Sequence, residues 1–130
     1  MMTLTVASSF SSAHLYHRPE WSDEKNRATF GRCFTEHGHG HNYKLEVNFY
    51  VTASEFESAK DTYFALLFNL TDRLDHQHLN FDIPEFASTI PTTENIALYF
   101  LNELKKSVPE SAIHSLRLYE LDNLWTEIKL

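Results

Sequence analysis

The chain has 130 residues, enough for one domain with a substantial core but not for two, so we expect a single domain over residues 1–130. Its net charge of −7 argues against nucleic acid as the main partner, and no run approaches the roughly 18 apolar residues of a membrane span. The single cysteine excludes an internal disulfide and, with an N-terminus unlike a signal peptide, favours a cytoplasmic location. These features still permit a small anionic ligand in a local basic pocket.

Two strands and a loop are predicted in the first part of the chain. The half-alternating segment "LTVASSF" predicts a strand that leads to His14, and the charged segment "HRPEWSDEKNR" predicts a polar loop. In "YKLEVNFYV", apolar and polar residues alternate strictly, which is typical of a strand with one buried face.

Two helices are predicted after these strands. Ser54 and Glu57 form a capping-box pair, and an apolar stripe at helical spacing follows them. A loop then leads to a second amphipathic helix, which begins at Thr92 or Thr93.

The last two predicted strands, "HSLRLYE" and "LWTEIKL", are joined by a tight "LDN" turn. The element order β-β-α-α-β-β indicates an α+β domain, with two helices on one face of an antiparallel four-stranded sheet. The strand period of two places Glu120 on the same face as Leu116 and Leu118. A carboxylate on an apolar face is costly unless a group pairs with it. The alternative is a strand end at which Glu120 reaches water.

Histidines before the second strand form a candidate metal site. His39 and His41 are two residues apart, so both imidazoles project to the same side of a strand and can reach one ion. His14 is the best third ligand if the first two strands pair. Three neutral imidazoles suit zinc, although iron, copper or nickel would also accept them. His17 and His37 are lower-ranked ligands, and a solvated histidine-rich loop is the interpretation without a metal.

The only cysteine and all three glycines lie in the segment from Gly31 to Gly40. We expect Gly38 and Gly40 to leave room for the histidines and to permit unusual backbone angles. Cys33, in a polar loop beside a predicted metal, is a candidate base, nucleophile or fourth metal ligand. A sole cysteine is also commonly a small buried hydrophobe.

The segment "LDHQHLN" places Asp75 beside His76. A carboxylate that orients an imidazole is typical of proton transfer. Neighbouring residues do not necessarily face each other, so the alternative is a helix C-terminus whose histidines compensate the helix dipole.

Taken together, these segments resemble the 6-pyruvoyl-tetrahydropterin synthase family, which includes the 6-carboxy-tetrahydropterin synthases of queuosine biosynthesis. The matching segments are "FSSAH", "SDEKN", "FGRC", "HGHNY", "LDHQHLN", "PTTEN" and "RLYE", in the family's order over residues 10–120. The resemblance implies the tunnelling fold (T-fold), in which trimers close their sheets into a barrel. Two trimers then stack into a homo-hexamer whose active sites lie between subunits.

The resemblance also implies a role for each candidate residue. Three residues would bind Zn²⁺: His14, His39 and His41. Three would move protons, the first of them as the base: Cys33, Asp75 and His76. Three would form the pterin pocket, the first of them anchoring the ring: Glu120, Thr92 and Thr93. Weaker candidates for the triphosphate are basic residues: Lys25, Arg27 and Arg32.

The activity implied by the resemblance is that of a zinc-dependent lyase. It would convert 7,8-dihydroneopterin triphosphate to 6-pyruvoyl- or 6-carboxy-tetrahydropterin and eliminate triphosphate, without an external redox cofactor. The long gap between Cys33 and His39 is more similar to the pyruvoyl synthases. The segment "TASEFESAKDTY" lacks the family's usual Gly-Met-Val-like run, which motivates a second hypothesis, a non-catalytic pterin- or metal-binding protein. A third hypothesis is an enzyme that cleaves the dihydroneopterin side chain for folate synthesis.

Overall fold

A computed structural model describes all residues 1–130, and a five-stranded sheet organises the chain. The strands are β1 (Met2–His14), β2 (His39–Val51), β3 (Gln77–His78), β4 (Ile113–Leu121) and β5 (Leu124–Lys129). Their order across the sheet is β3-β1-β2-β4-β5, and every pair is antiparallel except β1 with β3. The predicted α+β class is therefore confirmed, whereas the predicted strand number of four is wrong. The fifth strand, β3, has only two residues, which is too short to show an alternating pattern.

Four helices accompany the sheet: α1 (Asp23–Phe30), α2 (Phe56–Asp72), α3 (Leu79–Asp82) and α4 (Thr93–Lys105). The predicted helices correspond to α2 and α4. The capping box before α2 lies at Thr52 and Glu55, not at Ser54 and Glu57, because Glu55 accepts from the backbone N–H of Thr52 at 3.1 Å. None of the helices has the length and apolar character needed to cross a membrane.

Helix α1 replaces part of the predicted polar loop. It begins after Ser22, whose hydroxyl accepts from the Lys25 N–H, and it has no broad apolar stripe. Its buried residue is polar: Asn26 pairs with both the N–H and the carbonyl of Arg18, at 2.7 and 3.0 Å. A helix held by a buried amide carries no hydrophobic period, so the sequence pattern did not indicate it.

The core lies between α2, α4 and one face of the sheet. Alternate residues of the long strands face this core, among them Val6, Phe10 and Leu45. The ring of Phe10 stacks on Tyr43 at 5.0 Å and meets the edge of Phe100 from α4 at 5.4 Å. This packing fixes which face of β1 and β2 points inward, and the histidines follow on that same face.

The segment that lacks the Gly-Met-Val-like run, residues 52–63, forms a 3₁₀ turn and the start of α2. It follows the end of β2 that is opposite to His39. At about 3.3 Å per residue, roughly 40 Å of strand separates it from the histidines of its own chain. Its altered sequence therefore does not touch this chain's own histidine cluster.

Candidate active site

Three imidazoles converge at the end of the β1–β2 pair. The antiparallel register places His14 opposite His39 and Ser12 opposite His41, so all three histidines share the inward face. The Nε2 atoms of His14 and His39 are 3.0 Å apart, and one ligand nitrogen from each histidine lies within 4.8 Å of the others. His17 and His37, the lower-ranked alternatives, are not part of this group.

The orientation of His14 is fixed by contacts to its other ring nitrogen. Its Nδ1 lies 2.9 Å from the carbonyl oxygen of Pro91, just before α4, and 3.2 Å from the hydroxyl of Tyr43. Because a carbonyl only accepts hydrogen bonds, Nδ1 carries the proton and Nε2 presents a lone pair to the other histidines. Burial lowers the pKa of His14 from 6.5 to about 4, so this imidazole is neutral at pH 7.

The residues of this cluster fit a metal ion. The Nε2 atom of His41 is buried and has no hydrogen-bond partner, an arrangement that is costly unless another group binds there. Oε1 of Glu120 is 3.1 Å from this nitrogen but lies outside a hydrogen-bonding direction. Burial also lowers the pKa of His41, which favours the neutral form that binds metals. Three neutral imidazoles are the ligand set of many catalytic zinc sites.

Gly38 is required by the approach of β1 to the loop before β2. Its φ is +73°, and a Cβ there would lie 2.4 Å from the carbonyl oxygen of His14. The expectation of crowding does not hold for Gly40 within the chain. Its φ is not positive, and a Cβ there would meet its nearest atom, the carbonyl oxygen of Ser12, at an ordinary 3.4 Å.

Glu120 lies beside the histidines rather than in water. Its side chain is only 13% exposed, and its Oε2 accepts from Oγ1 of Thr93 at 2.5 Å. The pairing of β4 with β5 is irregular between Tyr119 and Leu121, so Glu120 lies at this distortion. Thr92, predicted to share the pocket, is the N-cap of α4, since its hydroxyl accepts from the Asn95 N–H.

Cys33 lies near the cluster, in a 3₁₀ turn after α1 (Gly31–Cys33), and is half-buried. Its carbonyl oxygen accepts from the N–H of Tyr16 at 2.6 Å, and the Tyr16 ring meets His14 edge-on at 5.3 Å. Burial, then the charges of Glu120 and Cys33, raise the pKa of Tyr16 to about 12. Tyr16 therefore links the backbone of Cys33 to the ring of His14.

Asp75 and His76 face each other, and neither side chain is hydrogen-bonded to Cys33. His76 has a φ of +59°, and this conformation turns two consecutive side chains together, with Nδ1 of His76 2.8 Å from Oδ2 of Asp75. The backbone N–H of Ser11 donates to Oδ1 at 2.7 Å and is the main cause that lowers the pKa of Asp75, followed by His76. The His76 side chain is 84% exposed, and no hydrogen bond connects this pair to Cys33.

A cleft of about 550 Å³ borders one of the three clustered histidines, His41. Strands β1 and β2 and the segment around β3 line it, and both His41 and His76 contribute to its wall. The basic residues proposed for the triphosphate are outside this wall. Lys25 lies over Trp21 at 4.1 Å and Arg27 over Phe34 at 5.6 Å, while Arg32 is exposed.

Sequence reasoning missed three groups that contact His14: Tyr16, Tyr43 and Pro91. A signal existed for Tyr43, because it lies two residues beyond His41 in the same strand, where the strand period returns the side chain to the same face. Tyr16 follows the end of β1, so no strand period indicates it. No local signal indicates the Pro91 carbonyl, which reaches His14 across 77 positions of sequence.

The comparison with known proteins fits this geometry. The family model described as 6-pyruvoyl tetrahydropterin synthase matches residues 3–130. The chain belongs to this family. It is therefore an enzyme of the 6-pyruvoyl tetrahydropterin synthase type, a family of lyases. The structure of the Caenorhabditis elegans 6-pyruvoyl tetrahydropterin synthase is similar, with a TM-score of 0.85 and 30% identity, over 98% of this chain and 94% of that chain.

Relatives of similar length are named 6-pyruvoyl tetrahydrobiopterin synthase. The 6-pyruvoyl tetrahydrobiopterin synthase of Poecilia reticulata is 35% identical over an alignment of 130 positions, which covers 92% of this chain and 84% of the relative. The Homo sapiens protein is 36% identical over an alignment of 126 positions, which covers 88% of this chain and 82% of the relative. A relative of another name is the dihydroneopterin monophosphate aldolase of Pyrococcus furiosus. It is 29% identical over an alignment of 126 positions, which covers 93% of this chain and 91% of the relative.

Proposed function

We propose that this family member is a zinc-dependent lyase that converts 7,8-dihydroneopterin triphosphate into 6-pyruvoyl-tetrahydropterin and triphosphate. The observation that carries the proposal is the convergence of three imidazoles, with the buried carboxylate of Glu120 beside them. The carbonyl of Cys33 is bonded to Tyr16, whose ring contacts His14. The names of relatives at 35% and 36% identity favour the pyruvoyl product over the carboxy product of queuosine biosynthesis. A cytoplasmic location is part of the proposal and rests on the lone cysteine.

The proposed reaction needs no external oxidant or reductant. The C1′ carbinol loses its C–H and its O–H hydrogens as protons, and ring atoms N5 and C6 each take up one, so the carbinol becomes a ketone while the C6=N5 bond is reduced. Loss of the proton from C2′ expels triphosphate from C3′, and the resulting enol gains a proton at C3′ and loses its hydroxyl proton to become a methyl ketone. The chemistry therefore consists of proton transfers, and the protein must supply bases and a group that acidifies the carbinol protons.

The three histidines would hold the zinc ion: His14, His39 and His41. Bound beside the substrate, zinc would supply the acidification of the carbinol protons. His14 contributes a neutral imidazole whose proton is kept on the far nitrogen by Pro91. This fixed tautomer keeps its Nε2 lone pair directed at the site.

Glu120 would anchor the pterin ring through the amino-pyrimidine nitrogens. Thr93 donates to Oε2, and Oε1 lies near Nε2 of His41 but makes no hydrogen bond, so Oε1 would accept hydrogen bonds from the ring. Because the carboxylate is largely desolvated, hydrogen bonds to it are stronger than in water. The anchor would thus set the distance between the ring and the histidines.

Cys33 would be the base, with Asp75 and His76 as its partners in the proton relay. The ionised Asp75 holds Nδ1 of His76 and leaves Nε2 of that exposed ring available to a neighbouring chain. Since no hydrogen bond links His76 to Cys33 within one chain, we infer that the relay is completed across a subunit contact. This inference agrees with a homo-hexamer whose active sites lie between subunits.

A second candidate function is cleavage of the dihydroneopterin side chain, favoured by the similarity to the Pyrococcus furiosus aldolase. The lower identity of that relative, 29% against 36%, ranks this function second. The hypothesis of a non-catalytic binding protein was motivated by residues 52–63. These lie far along β2 from the histidines of the same chain, so they could affect only a site shared with a neighbouring chain.

Product analysis tests the proposal. Zinc-loaded protein is incubated with 7,8-dihydroneopterin triphosphate, and the pterin and small products are identified by mass spectrometry, with Cys33→Ala run in parallel. We expect Cys33-dependent release of triphosphate with a pyruvoyl pterin and no acetaldehyde. Acetaldehyde would identify the carboxy product, a hydroxymethyl pterin would identify the aldolase, and bound but unchanged substrate would contradict catalysis.

A further inference from the structure

His78, which the proposed chemistry does not use, connects the two segments that carry the metal histidines. Its backbone belongs to β3 and is paired with Ala13, the residue before His14. Its side chain reaches the other segment, with Nε2 at 3.3 Å from the carbonyl oxygen of His37, two residues before His39. A nitrogen that faces a carbonyl oxygen must carry the proton, so Nε2 is the donor.

The ring of His78 also packs against the turn at Gly38. A Cβ on Gly38 would lie 3.0 Å from Nε2 of His78 and 2.4 Å from the carbonyl oxygen of His14. The Gly38 backbone is therefore enclosed between the end of β1 and this imidazole. A turn held on two sides has little freedom to move the side chain that follows it.

His78 itself is held in place. Its backbone N–H donates to Oδ2 of Asp82 at 2.7 Å, and its ring stacks on Phe81 at 4.3 Å between centroids. Its Nδ1 atom is buried without a hydrogen-bond partner. A buried acceptor without a donor costs stability, so the ring is not held in this position by the hydrogen bonding of Nδ1.

We propose that His78 is a positioning residue for the metal site: its Nε2–H holds the His37 carbonyl, and its ring supports Gly38, so that His39 is aimed at His14. The proposal rests on the metal site proposed above. Groups that orient a metal ligand without touching the metal typically change metal affinity by about 10- to 100-fold when they are removed. His78 acts on the backbone before the ligand, so we expect an effect at the lower end of that range.

Replacing His78 by Gln or by Asn tests the Nε2–H donor separately from the rest of the imidazole ring. Gln places its amide nitrogen near the position of Nε2, whereas Asn is shorter and cannot reach the His37 carbonyl. His37→Ala is the matched control, because the His37 side chain is 88% exposed and only its backbone carbonyl makes the contact. Cobalt(II) is the probe, with affinity measured by competition against a chelator and geometry by visible absorption.

We expect His78→Asn to bind cobalt about tenfold more weakly with an altered spectrum. We expect His78→Gln and His37→Ala to match the wild type in affinity and spectrum. Equal affinity for Asn and wild type would overturn the role of His78, as would equal weakening in Asn and Gln. Absence of cobalt binding by the wild type would instead overturn the metal site itself, and the role of His78 with it. Thermal unfolding of the metal-free variants checks that each is folded, since a general loss of stability lowers the melting temperature without changing the cobalt spectrum.

Discussion

Substitution of Gly38 by alanine is the sharpest structural perturbation of the candidate site. The new Cβ would lie 2.4 Å from the carbonyl oxygen of His14 and 2.9 Å from its carbonyl carbon. Real Cβ atoms essentially never approach backbone atoms this closely, so His14 or the turn must move. His14 is one of the three clustered histidines, and the turn leads directly into another, His39. Movement of either would therefore change the distances between the three imidazoles.

The size of the effect follows from two costs. The φ of +73° at Gly38 costs a residue with a side chain about 1–2 kcal/mol. Overpacking against a fixed backbone costs about 1–3 kcal/mol more. We therefore expect Gly38→Ala to lower the free energy of unfolding by about 2–5 kcal/mol and to weaken zinc binding by at least about tenfold.

The assay combines urea denaturation with a zinc competition titration, and Gly40→Ala is the matched control. Gly40 has no positive φ and an ordinary 3.4 Å clearance, and alanine is favoured over glycine inside a strand by about 0.5–1 kcal/mol. The control should therefore keep both stability and zinc affinity. If Gly38→Ala behaved like Gly40→Ala, the enclosure of this turn would not be what aligns the histidines.

Three further predictions concern the pterin pocket and the relay. Glu120→Gln should weaken pterin binding by about 10- to 100-fold, because hydrogen bonds to a charged group contribute about 1.5–3 kcal/mol. The variant should keep its zinc. Calorimetry measures the pterin affinity, and metal analysis measures the zinc content. Dissociating and reassembling an equal mixture of the inactive variants Cys33→Ala and His76→Ala should restore about one quarter of the wild-type activity, because random assembly in a symmetric oligomer leaves that share of shared sites intact. Thr92→Ala should lower the free energy of unfolding by about 1 kcal/mol through the lost helix cap, as measured by denaturation. Thr93→Val should instead weaken pterin binding, as measured by calorimetry.

Each of these predictions has a clear contrary result. Loss of zinc in Glu120→Gln would mean that the carboxylate supports the metal rather than the pterin. A mixture that stays inactive after reassembly, verified by native mass spectrometry, would place the relay within one chain. Equal pterin affinity in Thr93→Val and wild type would leave the Thr93 hydroxyl with a structural role only.

The long strands and helices could be predicted because the spacing of their apolar residues matches the side of each element that is buried in the core. The alternation from Tyr43 to Val51 reflects a strand with one face in the core, and the stripe of α2 reflects a helix that packs on it. The same periodicity predicted that Glu120 would share a face with buried leucines, and the structure supplies its partner in Thr93.

What could not be predicted depends on contacts that have no local pattern. Strand β3 has only two residues, too few for a pattern. Its position beside β1 depends on a hydrogen bond from the backbone N–H of His76 to the carbonyl of Ser11, which is distant in sequence. Helix α1 is stabilised by the buried amide of Asn26 rather than by an apolar stripe. The tautomer of His14 depends on a carbonyl that comes from just before α4.

The most direct test of the central claim is to titrate zinc into metal-free protein and to measure triphosphate release from 7,8-dihydroneopterin triphosphate at each step. We predict that the rate rises in proportion to bound zinc, reaches its maximum at about one ion per chain, and is absent when His41 is replaced by alanine. A full rate in zinc-free protein, or a rate that does not follow zinc occupancy, would contradict the zinc-dependent synthase.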